Sequence, residues 1–246
     1  MTRTPGLTAE RLQRDYYAEN APHYDDMHVS EDDEHGVALR YLSALLREFQ
    51  LNSILDVGTG TGRAIEYLRR AHPGTLVVGV EPTLSLLARA LAKPAIHGAL
   101  LASGSGYQLP FANASFDSVC LFGVLHHVKD PNAVVREMTR VATRAVFLSD
   151  SNRFGQGSMR ARLVKLVLGH CGLWPAANFL KTGGAGYTIS SGDGLSYSYS
   201  VFDSVDILQA WADRLILVPT SPMEHRGWHH PLLTSSHVLV CALRDR

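Results

Sequence analysis

Short apolar runs alternate with amphipathic stretches from residue 53 onward, the pattern of βαβ units built around a parallel sheet. The runs place strands at 53–57, 76–80, 99–102, 116–122 and 145–149, and helical periodicity between them places helices at 63–71, 84–92 and 132–142. Pro131 and Asn132 after Asp130 make a helix start. Upstream, Ala38, Tyr41, Leu42, Leu45, Leu46 and Phe49 recur at helical spacing and form one continuous apolar stripe. Ser30 with Asp33 gives that helix a capping-box-like start, and Thr8 is placed to cap an earlier helix running to about Asn20. Beyond Asp150 the pattern changes. A helical stretch over 158–170 precedes two glycine- and serine-rich segments, 181–187 and 190–194, which read as loops carrying Tyr187, Tyr197 and Tyr199. A helix over 201–212 and strands at 214–219 and 236–243 complete the chain, the two strands close enough in sequence to pair antiparallel at the sheet edge.

A chain of 246 residues suits one large α/β domain. Its 23 Lys and Arg balance 23 Asp and Glu, so there is no electrostatic footprint for DNA or RNA, and a small or neutral partner fits better. No apolar stretch approaches the ~20 residues that span a bilayer, and the first residues lack an apolar leader, so the expected location is cytoplasmic. Cys120, Cys171 and Cys241 are scattered, odd in number and without a C-x-x-C pair, which reads as buried thiols. His225 and His229 have metal-ligand spacing for a helix, but Gly227 and Pro231 break a helix there, so no metal is expected. Arg160, Arg162 and Lys165 beside Leu163, Val164, Leu166 and Val167 read as a lid helix with a solvated basic edge.

The chemistry concentrates where strand 53–57 ends. Asp56 is followed by Gly58, Thr59, Gly60 and Gly62, a turn whose missing Cβ atoms let a ligand lie against the main chain over a strand end. Gly62-Arg63-Ala64 excludes a Walker A loop, which needs Gly-Lys-Ser/Thr, and Arg63 stands where a dinucleotide fingerprint needs glycine. Glu81, just before Pro82 and a little over twenty positions after Gly58, is placed to accept both hydroxyls of a ribose.

Three further segments follow in order: Gln108-Leu109-Pro110-Phe111, Ser115-Phe116-Asp117-Ser118-Val119 and Val124-Leu125-His126-His127-Val128. Together with the glycine turn they resemble the class I S-adenosylmethionine-dependent methyltransferases, in particular the small-molecule branch known as methyltransferase type 11. The likeness covers roughly residues 10–150. It implies a Rossmann-like, doubly wound α/β fold, with a mainly parallel seven-stranded sheet, an antiparallel last strand and helices on both faces. It implies S-adenosyl-L-methionine as cofactor, with Asp56, Gly58, Thr59, Gly60 and Gly62 around its methionine part and Glu81 with Pro82 at its ribose. The usual Gly-Asp-Ala at the adenine reads Gly104-Ser105-Gly106 here, so Ser105 and Gly106 replace a charged contact, and Tyr107 is a candidate to stack on the base. Tyr16, Tyr17 and Tyr24 match a segment that covers the cofactor in relatives. Residues 1–50 are then a helical lid, 51–150 the cofactor core, 151–200 a substrate-side insertion and 201–246 a closing helix and hairpin, all of one domain.

Methyl transfer from a sulfonium is driven by the cofactor, so the protein has mainly to align acceptor and methyl. If the acceptor is a hydroxyl, His126 at the end of the fourth strand is the candidate base, with His127 expected to face away. The acceptor is a small molecule, and a homodimer is compatible with the sequence. A nucleic-acid or protein methyltransferase is the nearest rival, but the Asn/Asp-Pro-Pro-Tyr/Phe element is absent: residues 122–125 read Phe-Gly-Val-Leu. A non-catalytic cofactor binder is the alternative from outside the enzymes.

Overall fold

A computed structural model describes residues 5–30, 32–221 and 230–245. The helix α1 (Pro5–Asn20) is already under way at Pro5, so Thr8 lies inside it rather than at its start. It is followed by α2 (Tyr24–His28) and α3 (Glu34–Glu48), the latter capped by Asp33, whose carboxylate accepts from the Gly36 amide. The core then runs β1 (Ser53–Val57), α4 (Arg63–Ala71), β2 (Leu76–Glu81), α5 (Leu84–Leu91), β3 (Leu100–Ser103), β4 (Phe116–Phe122), α6 (Pro131–Val141) and β5 (Ala142–Ser151). Each expected strand and helix of this stretch is present, with ends shifted by at most a few residues.

The seven-stranded sheet has the order β3-β2-β1-β4-β5-β9-β8, where β8 is Arg214–Pro219 and β9 is His237–Leu243. All pairs from β3 to β5 are parallel, and β9 lies antiparallel between β5 and β8. The sheet is buried on both faces because successive residues point to opposite sides and both sides are apolar. Leu55, Val119, Leu121, Val146 and Val240 face one cluster with Val135 and Met138 of α6. Ile54, Cys120, Phe147 and Cys241 face another with Leu42 and Leu46 of α3 and Ile65 and Leu68 of α4. Cys120 and Cys241 are therefore buried thiols as expected, whereas Cys171 is exposed.

Between β5 and β8 the glycine-rich region is more ordered than its composition suggests. It contains α7 (Met159–His170), α8 (Trp174–Lys181), a separate hairpin of β6 (Tyr187–Ser190) and β7 (Gly194–Tyr197), and α9 (Val205–Trp211). Residues 182–186 and 191–193 are turns as expected, and what the sequence did not announce is α8 and the two strands that flank the second turn. Among the described residues no helix is long and apolar enough to cross a membrane. The histidine pair at 225 and 229 lies outside the described residues.

Candidate active site

Four strands end at one rim of the sheet and hand it the polar groups: β1 delivers Asp56, β2 Glu81, β4 the segment to His126, and β5 Asp150. The order reverses between β1 and β4, and a crevice at such a switch point is where open α/β sheets take ligands. A cavity of about 740 Å³ opens there.

The turn after β1 has Gly58, Gly60 and Gly62 all at positive φ, as its sequence anticipated. The Gly58 and Thr59 amides both donate to the Val80 carbonyl, and the Gly60 amide donates to Glu81 Oε2 at 2.9 Å. Glu81 Oε1 accepts from the Thr83 amide at 2.8 Å. The carboxylate thus props the turn from beneath while each oxygen keeps a further lone pair. Burial raises the pKa of Glu81 against these bonds. Asp56 is fully enclosed, accepts from Thr59 Oγ1 at 2.6 Å, and is pushed by burial up to about 6.

The amino-terminal helices close over this turn. Thr61 Oγ1 donates to Asp25, Arg63 forks onto both oxygens of Asp33 at 2.7 and 2.9 Å, and Tyr24 lies above Gly60. Tyr17 meets Tyr24 and His127 edge-on.

Across the cavity His126 Nδ1 lies 2.7 Å from Asp150 Oδ1, and the buried Asp150 also accepts from the Leu125 and Ser151 amides. His126 Nε2 points at Asp193 Oδ2 and His127 Nε2 at Asp193 Oδ1, both at 3.4 Å. His127 therefore shares the site, contrary to the expectation that it faces away, because the short 3-10 turn over Leu125–His127 puts both rings on the cavity side. His127 Nδ1 bonds the Leu195 carbonyl at 2.6 Å, and Gln13 ties α1 to the same hairpin through the Leu195 amide. Burial disfavours charge on His126, but Asp150 and then Asp193 outweigh it and hold its pKa at about 10. Asp150 is correspondingly drawn down to about 2 against its burial, and Asp193 lies well below the usual carboxylate range. The polar side-chain atoms of His126, His127 and Asp193 lie within 4.8 Å of one another.

Of the residues singled out in the sequence, Asp56, Gly58, Thr59, Gly60, Tyr24 and His126 line the one cavity, with Tyr17 and His127. Gly62 and Glu81 support its wall from behind. Pro82 and Ser105 are exposed and Gly106 half-buried, outside the lining, and Ser105 Oγ accepts from the Tyr107 amide. The Tyr107 hydroxyl accepts from the Asp130 amide while its ring packs on the core, and Tyr16 donates to the Ser191 carbonyl, holding the hairpin. Asp150 and Asp193 were missed. The only signals were an acidic residue at a strand end and a Ser-Gly-Asp-Gly turn.

The family model described as a methyltransferase domain matches residues 55–148, the stretch that carries β1 through β5. Over that stretch the chain carries a methyltransferase domain of the S-adenosylmethionine-dependent kind. The cofactor of this family is S-adenosylmethionine. Its ammonium, carboxylate and paired hydroxyls fit a wall that offers a buried carboxylate, a glycine cradle and Glu81. A demethylmenaquinone methyltransferase of Roseiflexus castenholzii is 41% identical over 88 residues, 36% of this chain and 37% of that protein. An O-methyltransferase of Aspergillus sclerotiorum is 31% identical over 109 residues, 42% of this chain and 40% of that one. The chain thus spans less than half the length of the curated relatives it matches. In structure it resembles the magnesium protoporphyrin IX methyltransferase of Synechocystis, solved with bound S-adenosylhomocysteine, at a TM-score of 0.62 and 17% identity over 96% of this chain and all of that one.

Proposed function

We propose that this protein transfers a methyl group from S-adenosylmethionine to a small organic acceptor, held between the glycine turn and His126. The observation that carries this reading is the cavity that joins Asp56, Gly58 and Gly60 on one wall to His126, His127 and Asp193 on the other. Asp56, Gly58, Thr59, Gly60 and Gly62 then surround the methionine part, Glu81 the ribose, and the 105–107 turn the adenine edge. Residues 1–50 and 151–200 serve as the two lids. The relatives that act on quinone and porphyrin precursors favour a ring-bearing acceptor, and Tyr17, Tyr187, Tyr197 and Phe122 in the lining suit an aromatic body.

A bound sulfonium cofactor supplies the electrophilic methyl group. The protein's part is alignment and proton handling. Asp150 fixes the His126 ring through Nδ1, which leaves Nε2 toward the cavity. An acceptor hydroxyl takes the place of Asp193 at Nε2 and gives His126 its proton as the oxygen takes the methyl.

Calorimetric titration tests the cofactor half of this reading. Micromolar binding of S-adenosylmethionine and S-adenosylhomocysteine, with none of NAD, is expected; absence of binding by the first two overturns it. The pH dependence of that binding is a finer check. Asp56 titrates near 6 in the free protein, and an ammonium beside it favours the ionised form, so affinity falls as pH drops below about 6 and binding there releases a proton. Titrations in buffers of different ionisation enthalpy read the proton directly.

A further inference from the structure

Helix α7 sits on the protein the wrong way round for a surface helix. Two of its cationic side chains point inward: Arg162 is buried and donates to the Gly157 and Leu233 carbonyls, and Lys165 donates to those of Arg153 and Gln156. Several of its apolar residues face out, while Leu166 and Leu168 are half-buried. Leu163, Val164 and Val167, with Arg160 and Cys171, fall at helical spacing on one side, and Val164 and Val167 are 57% and 60% exposed. Next to it Leu173 and, in α8, Phe179 and Leu180 are exposed as well, Leu180 to 79%, and Ile189 of the hairpin follows at 65%. The solvated basic edge expected from the sequence is thus replaced by an unpartnered apolar face.

The charge around this face points to what covers it. From Ser151 to Gly192 the chain has no Asp or Glu, yet carries Arg153, Arg160, Arg162, Lys165 and Lys181, in a protein whose formal charge is zero. Arg160 and Lys181 flank the patch and are exposed. Arg153 is paired with Asp203 and Arg162 and Lys165 are tied to carbonyls, so it is Arg160 and Lys181 beside the apolar stripe that complement an anionic lipid surface, with the stripe in the acyl boundary and these two cations at the headgroups. A second copy of this chain meeting the same face about a two-fold axis would bring two positive surfaces together.

We propose that α7, α8 and the β6–β7 hairpin dock this protein on the surface of an anionic membrane. Asn178, Lys181, Thr182, Tyr187 and Thr188 of these elements also line the cavity, so the docked face opens next to the site and an acceptor dissolved in the bilayer enters without crossing water. The docking needs neither cofactor nor turnover and stands apart from the methyl-transfer reading.

Vesicle flotation with the full chain tests it. Binding is expected to vesicles of phosphatidylglycerol and phosphatidylcholine, to weaken at least tenfold on raising salt, and to be absent with phosphatidylcholine alone. Val167→Asp and Leu180→Asp, both at exposed positions, are expected to remove binding by more than tenfold while far-ultraviolet circular dichroism and S-adenosylhomocysteine binding stay unchanged. Failure of the wild-type protein to float, or equal binding by the two variants, overturns the proposal. So does a wild-type dimer in sedimentation equilibrium that either variant converts to monomer, since a second copy then covers the face.

Discussion

Replacing His126 with alanine is expected to lower turnover by about 10²–10⁴-fold while leaving S-adenosylmethionine affinity within a factor of two, because the ring lies across the cavity from the glycine turn. A loss below tenfold, with the fold intact, removes the general-base role. The environment of the ring makes a second, more specific demand. Burial works against its charge, yet Asp150 and Asp193 keep its pKa near 10, so the base is protonated at neutral pH whenever the hairpin holds it. The kcat/KM of the wild type should therefore climb with pH through the neutral range toward about 10. Asp193→Asn removes one of the two carboxylates, lowers the pKa of His126 and moves that rising limb to lower pH, whereas a purely structural histidine would leave the profile where it was. The pH profile of kcat/KM, which reports the free enzyme, decides between them in the two proteins.

Gly62→Ala is expected to destabilise the fold by about 2–4 kcal/mol, combining the cost of a left-handed backbone for an L side chain with overpacking. The glycine has φ +87°, and an added Cβ would stand 2.3 Å from Ile96 Cδ1. The Ile96 side chain can yield only in part, since it is itself fully buried against α4. Urea denaturation measures the change, and a midpoint equal to that of the wild type contradicts it. As Gly62 is the residue from which α4 starts, its displacement also shifts the turn that Glu81 supports, so cofactor affinity should fall in the same variant.

What could be read from the chain depended on how far apart the cooperating residues lie. Asp56 and the three glycines occupy seven consecutive positions, and their spacing alone dictates a strand, a turn and a helix. The parallel strands are short, mainly apolar runs, so their places were legible to within a few residues. His126 was placed from the resemblance, but its partners were hidden: Asp150 is 24 residues on and Asp193 67, and only the approach of the β6–β7 hairpin to the end of β5 brings them together. That hairpin read as loops because glycine and serine are poor strand formers. It persists through its cross-strand tyrosines, Tyr187 against Tyr197, and through Gln13 and Tyr16 of α1, none of which is a local signal. The orientation of α7 was inverted in the sequence reading for a related reason. Composition says that a helix has an apolar and a basic side, while the backbone carbonyls that draw Arg162 and Lys165 inward belong to residues elsewhere in the fold.

The position of β9 bears on how the protein is made. Strand β8 leaves the ribosome before β9 and has no other neighbour in the sheet, since the order runs β5-β9-β8. Until the later strand arrives, β5 shows an open edge and β8 floats as an unpaired apolar ribbon, both templates for unwanted pairing. Chains truncated between residues 220 and 236 and released without β9 should accordingly be the form most dependent on chaperones, with the cofactor half already folded and the outer edge still waiting for its strand.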